Sequence, residues 1–303
     1  MFHPTLRQLE LFRAVCEHGS ITRAAEAMHL TQPAVSIQIK QLADTVGLPL
    51  LEQIGKTLHV TDAGRLVLAG CREVLDAVDR LESVAADLKG LQRGRLRVAV
   101  TTTAKYFMPR LLGEFAALHE GIELSLKVTN RAGLLARLEA NEDDLYVLGQ
   151  PPDKPAVLAH VFARNPLVVV ARPDHPLSSH RRIPIERLGQ EWFIAREEGS
   201  GTRTAAERYF GERGVPLRYR MELGSNEAIK QGVIGGLGIA VLAKTSVEME
   251  LVAGVLRVLP VAGLPIRRDW YLVRLAAKRP SLVAQAFSEF LLRSADLAPS
   301  LPR

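Results

Sequence analysis

Cysteine is nearly absent from this 303-residue chain. The two present, Cys16 and Cys71, lie far apart and belong to no CxxC or His-flanked cluster, so a disulfide framework and a structural zinc are excluded and a reducing compartment is expected. Long apolar runs are lacking too, and nothing approaches the ~18 residues of a membrane span. Arg7, Glu10, Arg13 and Glu17 interrupt the first twenty residues, which leaves no signal-peptide core. The expectation is a soluble cytoplasmic protein with no membrane partner. Aromatic residues are scarce at 5%, yet 47% of the chain is hydrophobic and 24% charged, which suffices for two or more domains with cores of their own.

Catalytic patterns are missing as well. HExxH, GxSxG and CxxC do not occur, Lys244-Thr245 lacks the preceding glycines of a phosphate loop, and Gly235-Gly236-Leu237-Gly238 falls within or after a helical stretch rather than after a strand. Asp143-Asp144 is a carboxylate pair, but neighbours in or near a strand face opposite ways and no His or Cys is close in sequence. A capping or hinge role is expected for it. The chain reads as a non-enzyme without metal or cofactor.

The net charge of +6 is unevenly spread. Residues 1 to 92 carry 9 Lys and Arg against 11 Asp and Glu, a net of −2, whereas residues 93 to 303 carry 30 against 22, a net of +8. Any DNA binding by the N-terminal part therefore relies on placed side chains and helix ends, not a bulk basic field. The basic remainder suits a small anionic ligand or is a set of scattered, solvated arginines; composition alone leaves both open.

From Leu6 to Val60 the pattern predicts three short helices and a hairpin. Leu6, Leu9, Phe12 and Val15 mark the core side of the first; Gly19 ends it, and Ser20 caps an Ala-rich second helix over 21–28. Thr31 can cap a third helix, about Gln32 to Val46, with Pro33 in its first turn. Val35, Ile39 and Leu42 form its buried side, which leaves Gln32, Ser36, Gln38 and Lys40 outside. Two helices joined by a turn, the second presenting Gln, Ser and Lys, describe a helix-turn-helix whose second helix can enter the major groove. Leu50 to Ile54 and Thr57 to Val60 flank Gly55-Lys56 as a wing, with Lys56 in reach of phosphate or the minor groove. Three-helix cores of this length also serve structure alone, so periodicity does not decide.

Thr61-Asp62 opens a single long helix to about Lys89, roughly 40 Å. Val67, Cys71, Val74, Val78, Leu81, Ala85 and Leu88 recur in steps of four and three, an a/d seam that predicts self-association of two chains. From Gly94 strand and helix patterns alternate: Leu96 to Thr101, Ile122 to Val128 and Leu145 to Leu148 with helices between them predict a parallel sheet. A second series begins near Val161. Two linked α/β lobes fit, with a ligand expected outside the carboxyl ends of the strands, near helix N-termini. Three segments converge there: Thr101-Thr102-Thr103, Asn130-Arg131 and Gly199-Ser200-Gly201-Thr202-Arg203. Each offers hydroxyls, N–H groups or a guanidinium to an anion, although each can also be an ordinary helix cap.

These residues resemble a known family over nearly the whole chain. Leu6-Arg7-Gln8-Leu9-Glu10-Leu11-Phe12, Gly19-Ser20-Ile21-Thr22-Arg23-Ala24-Ala25, Thr31-Gln32-Pro33-Ala34-Val35-Ser36 and Thr61-Asp62-Ala63-Gly64 resemble the winged helix-turn-helix and linker of LysR-type transcriptional regulators. Ser225-Asn226-Glu227-Ala228-Ile229 and Gly236-Leu237-Gly238-Ile239 resemble that family's second effector lobe. Gln53-Ile54-Gly55-Lys56, Thr102-Thr103-Ala104-Lys105-Tyr106-Phe107 and Asn141-Glu142-Asp143-Asp144-Leu145 are similar to the subgroup that regulates carbon-fixation (RuBisCO) operons.

The resemblance implies a winged helix-turn-helix over 1–60, a linker and dimerisation helix over 61–92, and an effector-binding α/β domain over 93–303, built like periplasmic binding proteins. Its lobe I covers about 93–162 and 268–303, and lobe II about 163–267. It further implies a homodimer or homotetramer on double-stranded promoter DNA, with DNA bending changed by a small anionic effector, a phosphorylated metabolite or NADPH. Carried across, Gln32, Pro33, Ser36 and Gln38 are the base or phosphate readers, Lys40 and Lys56 lie on the backbone, and Thr31 is only a cap. The effector positions are Thr101, Thr102, Thr103, Asn130, Arg131, Ser200, Gly201 and Thr202, with Thr102 and Thr202 foremost. Departures from the family pattern are Ala43, Leu51 and Ile37, the last removing a polar contact and placing a side chain fit for a thymine methyl. The competing expectation is a metabolite sensor without a DNA role.

Overall fold

The computed structural model describes residues 3–55, 57–87 and 94–297, the side chains of 82–87 and 294–297 excepted. Lys56 and Leu88 lie outside the described residues, as does the side chain of Ala85. The chain divides into two compact units, one built on the N-terminal segment and the other on most of the chain after residue 90. Among the described residues no helix is long and apolar enough to cross a membrane.

In the first unit, α1 (Leu6–His18) starts with a reciprocal cap: Thr5 Oγ1 accepts from Gln8 N and Gln8 Oε1 accepts from Thr5 N, at 3.2 and 2.9 Å. Gly19 closes it at φ +58°, a conformation that favours glycine. Leu9, Leu11, Phe12 and Val15 enter the core, whereas Leu6 is 46% exposed, so the expected stripe loses its first member. Ser20 caps α2 (Ile21–Ala27), its Oγ accepting from Arg23 N at 3.4 Å. Next come α3 (Gln32–Val46) and the antiparallel strands β1 (Leu51–Ile54) and β2 (Thr57–Val60). The long helix α4 (Asp62–Asp87) comes after them, and its first turn is anchored by Thr61 Oγ1, which accepts from Gly64 N at 2.9 Å. A Cβ on Gly64 would lie 2.1 Å from the Leu50 carbonyl oxygen, so only glycine lets α4 touch the wing so closely.

The seam expected along α4 is corrected. Cys71 and Leu75 are buried, and Val67 and Leu68 pack beside them, in the same core as α1 and α3. The stripe left open among the described residues is instead Leu66, Val74 and Leu81, which are 78%, 44% and 70% exposed. Sequence periodicity found an apolar helix but merged two faces, because the side turned toward α1 and the side left open are both apolar.

The second unit holds two lobes. The first is a five-stranded sheet ordered β4 (Ile122–Thr129), β3 (Gly94–Thr101), β5 (Leu145–Leu148), β12 (Asp269–Leu275), β6 (Val157–Arg164). The sheet is parallel across β4, β3 and β5 as expected, but β12 returns antiparallel to both β5 and β6. The stretch around Val161, read as opening the second series, therefore closes the first sheet. Alternate residues serve opposite faces: Leu96, Val98 and Val100 pack under α5 (Met108–Leu118) and α10 (Leu282–Leu297), while Ala99, Tyr146 and Leu148 meet α6 (Arg131–Glu139).

The second lobe centres on β7 (Leu167–Ala171), antiparallel to β10 (Ala240–Ala243) and β11 (Arg257–Val258). Beside it β8 (Trp192–Arg196) pairs in parallel with β9 (Arg218–Leu223). Helices α7 (Gly201–Gly211) and α8 (Asn226–Ile234) cover its two faces, with the short α9 (Glu248–Val252) at the side. The chain crosses between the lobes at 164–167 and 266–269. The crossings are tied together, Asn165 N donating to the Arg268 carbonyl at 2.7 Å and Leu167 bridging Ile266.

Candidate functional site

The recognition helix. α3 buries Val35, Ile39 and Leu42 and turns its other side outward. At 100° per residue, Gln32, Pro33, Ser36, Ile37 and Lys40 fall within one arc of about 140°. Gln32, Pro33 and Lys40 are exposed, Ser36 is half-buried and Ile37 is 55% exposed. Gln38 does not join them, since it flanks the buried seam on the far side. Thr31 sits at the N-cap with extended backbone but makes no capping bond. The cap reading is corrected, and its hydroxyl stands available beside Gln32. Lys56 lies outside the described residues.

The interlobe cleft. The carboxyl ends of β3, β4 and β5 place Thr101, Asn130 and Gly149 side by side, and the start of α7 faces them from the other lobe. The cleft between them is lined by Thr101, Thr102, Thr103, Asn130, Arg131, Ser200, Gly201 and Thr202, together with Gly149, Asn165, Arg268 and Trp270. The structure thus brings all eight sequence-named positions to one cavity and adds four. Of the ordinary caps weighed for them, Asn130 is one, its Oδ1 accepting from Gly133 N at 2.9 Å. Thr103 and Ser200 occupy N-cap positions without capping bonds, so their hydroxyls remain available, and α7 presents free N–H groups to the cleft.

The electrostatics are one-sided. Among the described residues no carboxylate lines the cavity. Burial lowers the Arg131 pKa, with Asp153 opposing. Burial pushes Arg268 down to about 10, and the nearby charges of Arg131 and Arg208 add to it. Arg268 Nη1 donates to the Gly201 carbonyl at 2.9 Å, which fixes the guanidinium without neutralising it. Gly149 makes room for it, since a Cβ there would lie 2.8 Å from Arg268 Nη2. Two guanidiniums in a cavity whose lining holds no carboxylate can take an anion between them.

A second set of bonds joins the lobes at the cleft's edge. Arg196, 3% exposed, donates from Nη2 to Thr102 Oγ1 at 3.0 Å and also bonds Asn226 and Glu197. Lys105 and Tyr106, directly after the three threonines, hold Glu227 of α8 at 3.1 and 2.8 Å. Lys230 pairs with Glu250 at 2.8 Å and lies 5.3 Å from the Tyr106 ring centre. Asp143 and Asp144 are neither caps nor hinge residues: Asp143 binds Arg137 at 2.8 Å, and Asp144 binds Arg97 at 3.2 Å and Lys278 at 3.1 Å.

Sequence reasoning missed Gly149, Asn165, Arg268 and Trp270. Gly149 was within reach as the residue ending the third parallel strand. The other three reach the cleft through chain crossings, and local spacing carries no signal for those.

Two family models match the chain: "Bacterial regulatory helix-turn-helix protein, lysR family" over residues 6–65 and "LysR substrate binding domain" over residues 89–296. A RuBisCO operon transcriptional regulator of Acidithiobacillus ferrooxidans is 50% identical over 99% of this chain and 98% of its own length. The regulatory domain of CcmR from Synechocystis PCC6803, solved in complex with 2-PG, is 49% identical over 67% of this chain and 98% of that one, with a TM-score of 0.65. Full-length CbnR with its target DNA, at 21% identity and a TM-score of 0.65 over 96% of this chain and 99% of its own, shares the fold.

Proposed function

The chain belongs to the LysR family of bacterial helix-turn-helix regulators, and from that premise we propose that it controls a carbon-fixation operon in response to a small phosphorylated metabolite. It binds double-stranded promoter DNA in the cytoplasm through α3, with Gln32, Pro33 and Ser36 as base or phosphate readers, Ile37 against a thymine methyl and Lys40 on the backbone. Gln38 supports that face from outside the arc. It self-associates through the exposed stripe on α4 and acts as a homodimer or homotetramer. The effector sits in the interlobe cleft, its anion on Arg131 and Arg268 and its oxygens on Thr101, Thr102, Thr103, Ser200 and Thr202 and on the free N–H groups of α7.

The observation that carries this reading is the pair of guanidiniums facing the hydroxyls of Thr103, Ser200 and Thr202 in one cavity whose lining holds no carboxylate. The 2-PG in the Synechocystis domain supports an effector of this class. Hydroxyls, amides and guanidiniums without a carboxylate, thiol or imidazole support binding rather than catalysis.

The test is a gel shift and footprint of the full chain on the promoter beside its own gene, with and without 2-PG, ribulose bisphosphate and NADPH. The expected result is a long footprint that shortens or shifts with a small phosphate ester. Gln32→Ala abolishes specific binding, and Thr102→Val keeps it but removes the ligand effect. A footprint unaffected by all three compounds overturns the effector, and no binding overturns the DNA role.

A further inference from the structure

The second lobe carries a concavity at the end of its sheet away from the cleft. β8 runs from Trp192 to Arg196, whose guanidinium bonds Thr102 at the cleft's edge, so Trp192 stands at the far end of the same strand. A groove of about 280 Å³ opens there, lined among others by Trp192, Arg220, Arg172, Asp174, Glu191 and the turn that holds Gly236. It shares no lining residue with the interlobe cleft.

Local backbone features hold these side chains in place. Phe193 pairs with Tyr219 and Ile194 with Met221, which leaves Arg220 as the extra residue of a bulge in β9, and a bulge re-aims the side chain it carries. Arg220 Nη1 donates to the Leu237 carbonyl at 3.3 Å, and its Cζ lies 5.5 Å from the centre of the Trp192 ring, with that of Arg218 at 4.4 Å. Among the described residues neither guanidinium has a carboxylate at ion-pair distance. Trp192 is 40% exposed, so a large aromatic face meets solvent with two unneutralised cations on it. Asp174 holds Arg172 in a two-pronged bond, and Gly236, at φ +79°, leaves room for that arginine, since a Cβ there would lie 2.7 Å from its Nη1. His175 Nδ1 accepts from Leu177 N at 3.2 Å, which puts the ring proton on Nε2, 3.6 Å from one oxygen of Glu191.

Three chemistries therefore meet in one groove. The indole stacks a flat ring, the guanidiniums take an anion, and the Glu191 carboxylate accepts from hydroxyls or amines. A bare phosphate uses the second alone, and an aromatic acid leaves the third unused. We propose that the groove is a second ligand site, separate from the interlobe cleft, and that it takes a nucleoside monophosphate, with the base on Trp192, the phosphate on Arg220 and the ribose hydroxyls on Glu191. A volume near the lower end for small-molecule sites suits one such unit. The site does not depend on which anion the cleft binds.

The test is calorimetry of the full chain with AMP, adenosine and ribose 5-phosphate. AMP is expected to bind at least about tenfold more tightly than either half, since the stacked base and the charge-assisted phosphate bond are each worth about a factor of ten or more. Trp192→Ala and Arg220→Gln are each expected to weaken AMP about tenfold, and Trp192→Phe, which keeps a ring to stack on, to stay within about threefold of the parent. Arg268→Met, in the cleft, is expected to leave the AMP affinity as it was. Arg220 is exposed, so its substitution keeps the test intact should Trp192→Ala fail to fold. No binding of AMP overturns the site, and so does equal affinity for AMP and either half. Loss of AMP binding in Arg268→Met with none in Arg220→Gln places the nucleotide in the cleft and overturns it too. None of these results bears on the cleft's own effector, which the footprint reads separately.

Discussion

Replacing Arg268 by methionine should make the protein more stable and less responsive at once. Burial holds the Arg268 pKa at about 10, well below the ordinary guanidinium value, and at 1.36 kcal/mol per pKa unit that costs about 3 kcal/mol to keep the group charged. Its hydrogen bond to the Gly201 carbonyl, 2.9 Å long, returns roughly 1 to 2 kcal/mol. Methionine fills much of the space of the arginine stem and carries neither term. The net is a gain of about 1 to 2 kcal/mol, or roughly 3–6 °C in the melting temperature of a domain of this size. A base whose folded pKa is depressed destabilises the fold throughout the range below that pKa, and the penalty is relieved only as pH rises from about 10 toward the ordinary guanidinium value. The gain is therefore constant at neutral pH and shrinks above about pH 10. The same change removes one of two guanidiniums from the anion and should weaken effector binding about 30-fold or more, since a charge-assisted pair is worth about 2–3 kcal/mol. Thermal scans of the ligand-free full chain, paired with an effector titration, read both quantities. A lower melting temperature with unchanged affinity would refute the reasoning, because it would make Arg268 a structural arginine.

Other contacts of the two units carry three further expected outcomes. Asp144→Asn should cost about 1–3 kcal/mol in urea unfolding at pH 7, because it removes the part-buried carboxylate that pairs with both Arg97 and Lys278. Burial pushes the Asp144 carboxyl up, but Arg97 and Lys278 outweigh it and hold the pKa below 3.8. The stability this contributes is fully present above the ordinary carboxylate value and lost as pH falls through the lower folded one, so the gap between the two proteins should start to close only below about pH 3.8; a gap that already closes between pH 7 and 5 counts against the assignment. Leu81→Glu, at a 70% exposed position on α4, should shift sedimentation toward the monomer with little change in helix content, and an unchanged oligomer would move the interface elsewhere. Glu227→Gln weakens the tie from Lys105 and Tyr106; ligand-free operator affinity should hold while the ligand-induced change in footprint shrinks, and a full response would make the tie incidental.

Local chemistry was legible where one short segment decides it. The spans of α3 and the wing could be read from Pro33, the alternation of Val35, Ile39 and Leu42, and Gly55. The cleft's hydroxyl rim could be read because each parallel strand delivers its last residues to the same edge, so Thr101 and Asn130 needed no distant information. Arg268 and Trp270 could not be read this way. They lie about 100 residues from Asn165 and meet it only because the chain returns between the lobes, and no spacing records a return. Nor could α4 be read fully, since an apolar face looks the same in sequence whether α1 covers it or it is left open. Thr31 shows the converse: a residue type that caps helices elsewhere sits at the cap position here and does not cap.

Arg131 and Arg268, with no acid opposite them, have a consequence for what is being sensed. A site that charged does not wait empty in a medium containing inorganic phosphate, because any small anion that fits competes for it. The apparent dissociation constant of the effector then rises linearly with the competitor's concentration divided by the competitor's own constant, and where the competitor is in excess half-saturation tracks a ratio of two concentrations rather than one. With a phosphate ester as effector, a cell that hoards phosphate esters and one starved of free phosphate would drive this cleft in the same direction, and its occupancy would report the balance between the two.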